Sequence, residues 1–185
     1  MPDPVYTNFP VKKYATVELN RCGFPDNSLV VSQTPLSSDF ASVACENGMW
    51  VDADKANGAI KMPTANTVVY GLVYTAEKEW NDGRYGLNQF CQHAGDYPRV
   101  GVMQRGDTVT TNCFCYDSAT YTTLGALETV LKACQTTPVY VAPLASSGRP
   151  VVTASKPNSG FYAKVIAYTK MPNGEKAIKY AVVAE

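Results

Sequence analysis

Gly160-Phe161-Tyr162-Ala163-Lys164-Val165-Ile166-Ala167-Tyr168-Thr169-Lys170 is followed by Met171-Pro172-Asn173-Gly174, and then by Ala177-Ile178-Lys179-Tyr180-Ala181-Val182-Val183. In the first segment Phe161, Ala163, Val165 and Ala167 alternate with Tyr162, Lys164, Ile166, Tyr168 and Lys170. A period of two is the mark of a strand with one face buried and the other wet. The middle segment supplies a turn, because Asn-Gly readily takes the positive φ angles that a tight hairpin needs. The three segments therefore predict a β-hairpin, and they set the class of the fold as mainly β.

Working outward, the same grammar occurs at least once more. Met49-Trp50-Val51 leads to Asn57-Gly58, a Pro/Thr-rich connector and Thr67-Val68-Val69-Tyr70-Gly71-Leu72-Val73-Tyr74-Thr75. Val139-Tyr140-Val141 leads to Ser147-Gly148, a polar connector and the aromatic strand that ends Tyr168-Thr169. The order strand, glycine turn, connector, aromatic strand ending Tyr-Thr repeats loosely, as it does in compact β-barrels and sandwiches. Residues 13–19 read as a first strand, residues 29–31 as a short one and residues 40–45 as another. One segment is helical: Leu124, Leu127, Val130, Leu131 and Cys134 recur at spacings of three and four over residues 123–134. Thr122 or Thr123 is placed to cap it, and Glu128 and Lys132 stand in the favourable i,i+4 order. The expected architecture is thus a compact β-barrel or sandwich of short antiparallel strands with one short helix. It divides into an extended N-terminal arm at residues 1–12 and a single β-rich domain at residues 13–185, with a loop insertion at about 76–97.

A chain of 185 residues is long enough to bury roughly 70% of its extended surface, so it needs no metal or disulfide to fold. Its formal net charge is zero, which offers no field to draw nucleic acid or an anionic membrane. The distribution is uneven: residues 1–60 hold four basic and seven acidic side chains, whereas residues 139–185 hold six basic and two acidic ones. Such an asymmetry reflects either solvated strand faces or one end of a protomer meeting a complementary end of a neighbour. The N-terminus lacks the basic and apolar regions of a secretory signal, and no apolar run approaches ~18 residues, so no membrane span is expected. Six cysteines at irregular spacing, without that signal, are expected to be mostly buried free thiols. Cys113 and Cys115 share one face of an extended strand, which disfavours a bond between them.

Signals for chemistry are sparse. His93 is the only histidine; Cys91 lies two residues before it and Asp96 three after, so a Cys-His arrangement is conceivable. Nucleophile and base seldom come from such close neighbours in sequence. Asp52/Asp54 and Glu77/Glu79 have strand-like spacing but read as solvating carboxylates. There is no C-x-x-C pair for zinc, no P-loop and no dinucleotide glycine fingerprint. No catalytic residue, metal ligand or cofactor is assigned, and the chain is not read as an enzyme. Trp80, Arg84, Tyr85 and Phe90 in the loop, with Tyr6 and Phe9 in the proline-bearing arm, are the candidate partner-binding residues, because these residue types dominate binding hot spots once buried at an interface. A satellite core under the loop is the competing reading of its aromatics. A helical turn near residues 87–93 is expected inside it.

Three segments bear a family likeness: Gly48-Met49-Trp50-Val51-Asp52-Ala53-Asp54, then Val69-Tyr70-Gly71-Leu72-Val73, then residues 97–112 with Gly106-Asp107-Thr108. Together they resemble the decoration, or head-cement, proteins of tailed bacteriophages, chiefly over residues 45–115 and again at 139–169. The six cysteines and the 76–97 loop lie outside the pattern. The resemblance implies a structural virion protein on the capsid surface, assembled in the bacterial cytoplasm. It would bind the outside of the major capsid protein lattice and stabilise the head, as a homo-oligomer such as a trimer, without cofactor, direct nucleic-acid contact or membrane. The alternatives are another virion component (tail, baseplate or head-fibre adaptor) and a carbohydrate-binding β-module that stacks Trp80, Tyr85 and Tyr97 on sugar rings.

Overall fold

The computed structural model describes residues 5–19, 22–23, 30–75, 90–158 and 160–184. The fold is mainly β: two sheets face each other as a sandwich and do not close into a barrel. The larger sheet has seven strands: β1 (Tyr6–Asn8), β6 (Thr108–Thr111), β7 (Cys115–Asp117), β8 (Tyr140–Leu144), β9 (Ser147–Thr153), β10 (Tyr162–Lys170) and β11 (Lys176–Ala184). They run in the order β1-β7-β9-β8-β10-β11-β6. The smaller sheet has β2 (Val30–Val31), β3 (Trp50–Asp52), β4 (Tyr70–Val73) and β5 (Val100–Val102), in the order β2-β5-β4-β3. All pairings are antiparallel except β7 with β9, which is parallel.

The layer between the sheets is aromatic. Trp50 and Tyr70 from the smaller sheet meet Phe161 and Tyr180 from the larger side. Trp50 sits edge-on to Phe161 at 5.2 Å and to Tyr180 at 5.6 Å, while Tyr70 stacks on Phe161 at 4.6 Å. The indole Nε1–H donates to the Tyr180 hydroxyl at 2.7 Å, so both polar atoms of this fully buried pair are satisfied. A second core lies on the other face of the smaller sheet. Met49, Val51, Val73 and Val100 pack there against Leu36, Phe40, Cys45, Ile60 and Met62 from the loops. β4 is consequently buried at every position, not at alternate ones.

The β10–β11 hairpin forms as predicted, with two differences. At the turn only Gly174 takes a positive φ, of 82°, and Asn173 instead accepts the Glu175 N–H through its side chain at 3.0 Å. Along the strands, a bulge after Val165 leaves Ile166 without a partner opposite it: Val165 pairs with Tyr180 and Ala167 with Lys179. The extra residue flips the faces beyond it. Tyr168 then pairs with Ile178 and packs on the main core, so the strict alternation read across residues 161–170 fails beyond Val165; it fails at Tyr162 too, which is buried beside a second register shift. Gln135 donates its side-chain amide to the Ile166 carbonyl at the bulge.

The helix α1 spans Leu124–Lys132, with the Thr123 side chain accepting the Ala126 N–H at 3.2 Å. Leu127 and Leu131 enter the main core. The Glu128 carboxylate is bonded chiefly by Lys176 of β11, which fastens the helix to the hairpin, and Lys132 adds a weaker attraction. Several short-strand expectations are corrected. Residues 13–19 contribute only a single bridge, Val17 to Thr111, because they cover the β6 edge and do not form a ladder of their own. Within residues 40–45, Phe40 ends a 3-10 helix (Ser38–Phe40) and Cys45 makes one bridge to Gln92. The turn read at Ser147-Gly148 is at Ala145 and Ser146, where Ser146 takes φ 59°. Gly148 lies inside β9, where a Cβ would fall 2.6 Å from the Met49 sulfur; it is glycine because the β3 segment approaches it closely. The helical turn expected near residues 87–93 is absent over residues 90–93, where Gln92 is extended; the remainder of that segment lies outside the described residues.

Candidate functional site

Proline has no N–H for a ladder, so Pro4 and Pro10 confine strand pairing in the arm to the residues between them. There β1 pairs with β7, Tyr6 opposite Asp117 and Asn8 opposite Cys115, and it ends the larger sheet. Ser118 fastens its start, with both its N–H (2.9 Å) and its hydroxyl (2.7 Å) donating to the Val5 carbonyl. Val5 is 65% exposed and Tyr6 40%. The rim Val5-Tyr6-Thr7-Asn8 is uncharged, and among the described residues no strand lies beyond it. The other end of the sheet is treated differently. Thr108 and Gly23 exchange backbone hydrogen bonds at 2.8 and 2.9 Å, and Glu18 N–H donates to the Thr110 carbonyl, so the β6 edge is covered by the chain itself. Among the described residues one edge is closed and one is left open, and an open uncharged edge is where another strand adds.

The candidate partner residues separate in this frame. Tyr6 stands on the open edge. Phe9 does not: it is 1% exposed, its ring stacks on Phe114 at 4.3 Å, and its N–H bonds the Phe114 carbonyl. Phe9 anchors the arm in the core of its own chain, buried away from any partner. Sequence alone did not distinguish the two aromatics, because Phe114, on which Phe9 stacks, lies more than a hundred positions later. Phe90 is half-buried. Trp80, Arg84 and Tyr85 fall in residues 76–89, outside the described residues. Tyr97, from the sugar-stacking alternative, is 62% exposed.

The charge asymmetry is met in part inside the protomer. Arg149 Nη2 lies 2.8 and 2.7 Å from the two oxygens of Glu46, and the same carboxylate accepts the Ala15 N–H. Both side chains are about nine-tenths buried, at 8% and 11% exposure. This pair joins the loop before β3 to β9 of the opposite sheet. Near it, burial pushes the Cys115 thiol up to about 12 and raises Cys113 further, so neither is a nucleophile. At the hairpin end, Glu175 accepts the Lys12 N–H at 2.9 Å, and an open groove of about 300 Å³ runs between Phe9, Val11, Leu124 and Lys176.

The carboxylate pair Asp52/Asp54 serves the backbone. Asp52 accepts from the Asp54 N–H and the Thr67 hydroxyl, and Asp54 caps the 3-10 helix Lys55–Asn57. Cys91 Sγ and His93 Nε2 lie 3.7 Å apart. Asp96 accepts the His93 backbone N–H at 2.8 Å. Its carboxylate therefore holds the loop and does not orient the imidazole as the third member of a triad would. Among the described residues no group of three or more His, Cys, Asp and Glu side chains is arranged to hold a metal ion, and no helix is long and apolar enough to cross a membrane. No protein-family model, curated protein or solved structure matches the chain.

Proposed function

We propose that the protein is a structural component of a phage virion that binds the outside of the major capsid lattice and stabilises the head. The observation that carries this reading is the way the family-like segments assemble. Residues 48–54 contain β3, residues 69–73 contain β4, and residues 97–112 contain β5 and β6; β3, β4 and β5 pair in that order as one continuous unit. β6 joins the larger sheet beside β11. The open β1 edge supports the reading as well, since it offers a capsid subunit or a neighbouring copy an uncharged strand to extend. On a lattice, modest contacts to several subunits add up, because each contact after the first is intramolecular.

The test is co-sedimentation with expanded, undecorated heads. Removing residues 1–10 would take Phe9 out of the core, so the arm is tested by Tyr6→Lys and the loop by Trp80→Ala with Tyr85→Ala. Weakened attachment with unchanged thermal melting supports the reading. Failure of the unaltered protein to bind heads would overturn it and turn attention to tail, baseplate or head-fibre positions. The exposed Tyr97 ring favours the carbohydrate-binding alternative, which a glycan array separates from the others.

A further inference from the structure

The six cysteines are all free, but their surroundings differ sharply. Cys45, Cys113, Cys115 and Cys134 are buried. Cys22 is half-buried, its Sγ donates to the Glu18 carbonyl at 3.3 Å, and burial pushes its thiol up to about 11. Cys91 is different. It too is half-buried, but it has an imidazole beside it.

The local backbone builds this arrangement. Cys45 and Gln92 exchange backbone hydrogen bonds at 2.8 and 2.9 Å, which holds residues 91–93 extended. Gln92 turns inward, 7% exposed, and its side-chain oxygen accepts the Thr75 hydroxyl at 2.8 Å. In an extended segment the residues on either side of an inward one point outward together. Cys91 and His93 are thereby presented on the same face, Sγ and Nε2 3.7 Å apart. The Asp96 carboxylate on the His93 N–H fixes the following turn.

We propose that Cys91, with His93 as base, is a thiol–disulfide exchange site that takes small-molecule disulfides, and that the other five thiols of the native protein are not. In the step, the Cys91 S–H proton passes to His93 Nε2, with the imidazole in its Nδ1–H tautomer. The sulfur attacks one sulfur of R–S–S–R. A Cys91–S–S–R bond forms, the original S–S bond breaks, and R–S⁻ leaves and takes the proton back from the imidazolium. The Cys91 sulfur is oxidised and the departing sulfur is reduced, so the disulfide itself is the only co-reactant. This inference does not depend on where in a virion the protein sits.

The experiment treats the native full-length protein with the neutral aromatic disulfide 4,4′-dithiodipyridine. It follows thiopyridone release and locates the label by peptide mapping. The expected result is one fast equivalent on Cys91, absent in Cys91→Ser. His93→Gln should slow that phase at least about tenfold, with the melting temperature unchanged. In guanidinium the unaltered protein and His93→Gln should react at equal rates, since the arrangement is lost. A fast equivalent on Cys22, no fast equivalent at all, or an unaltered rate in His93→Gln would overturn the proposal. So would a rate difference that persists in the unfolded chain.

Discussion

The molecule makes one antiparallel pairing twice, and the two cases differ in what joins the strands. β3 pairs with β4, and β8 pairs with β10, and the two pairs face each other across the Trp50, Tyr70 and Phe161 layer. In the first case the connector leaves the sheet. It makes a 3-10 turn capped by Asp54 and lays Ile60 and Met62 over the outer face. In the second the connector is itself a strand, β9, which joins the far side of β8, runs parallel to β7 and carries Arg149 to Glu46. The residues that repeat in sequence set which strands pair. The connectors decide whether a sheet grows or acquires a second core.

The largest effect on that comparison is expected at the buried ion pair. Arg149→Ala leaves Glu46 buried with an unpaired charge and should cost about 3–5 kcal/mol in urea unfolding, whereas Glu46→Leu with Arg149→Met together should recover most of it. A cost near zero for Arg149→Ala would mean that β9 does not lock the two sheets. Next come the glycines. A Cβ at Gly71 falls 2.3 Å from Val100 Cγ1 and 2.8 Å from Ala53 Cβ, in the sheet that is buried on both faces. Gly71→Ala should cost about 2–3 kcal/mol, by overpacking. At Gly148 the obstacle is the flexible Met49 side chain, so Gly148→Ala should cost less; the reverse order would show the smaller sheet to be the looser one.

Tyr180→Phe tests the join between the two pairs directly. It leaves the Trp50 N–H buried without an acceptor and should cost about 1–2 kcal/mol by thermal or urea melting. The smallest effect concerns the helix clasp. The Lys176 ammonium holds the Glu128 carboxyl below its usual range, with help from Tyr168. A carboxylate with a depressed folded value stabilises at neutral pH, and the contribution is lost as pH falls through that value. Lys176→Met should therefore cost about 0.5 kcal/mol or less at pH 7, and the difference should vanish in acid once Glu128 is protonated.

These contrasts also explain what could be read in advance. The β10–β11 hairpin and α1 were legible because each has one wet face, which prints a period on the sequence. Thr123 capped the helix where its hydroxyl predicted. The smaller sheet printed no such period, since Tyr70, Gly71, Leu72 and Val73 are all buried. The bulge at Ile166 left no local mark, because it answers to Gln135 and to the packing of Tyr168. Phe9 and Tyr6 looked alike in a proline-bearing arm; only Phe114, a hundred residues away, separates them. Glu46 and Arg149 were visible as charges in oppositely charged regions, but not as each other's partner. Cys91 and His93 were legible as neighbours, and the Cys45–Gln92 bridge that aligns them was not.

The Trp50–Tyr180 hydrogen bond spans 130 positions of chain. A ribosome makes Trp50 long before it makes either aromatic that will enclose it. Until the β10–β11 hairpin emerges, the nascent protein carries an uncovered indole and the unpaired β6 edge that β11 will join. Folding of this molecule therefore waits for the β10–β11 hairpin: a message truncated before Phe161 yields not a smaller sandwich but a sticky half of one.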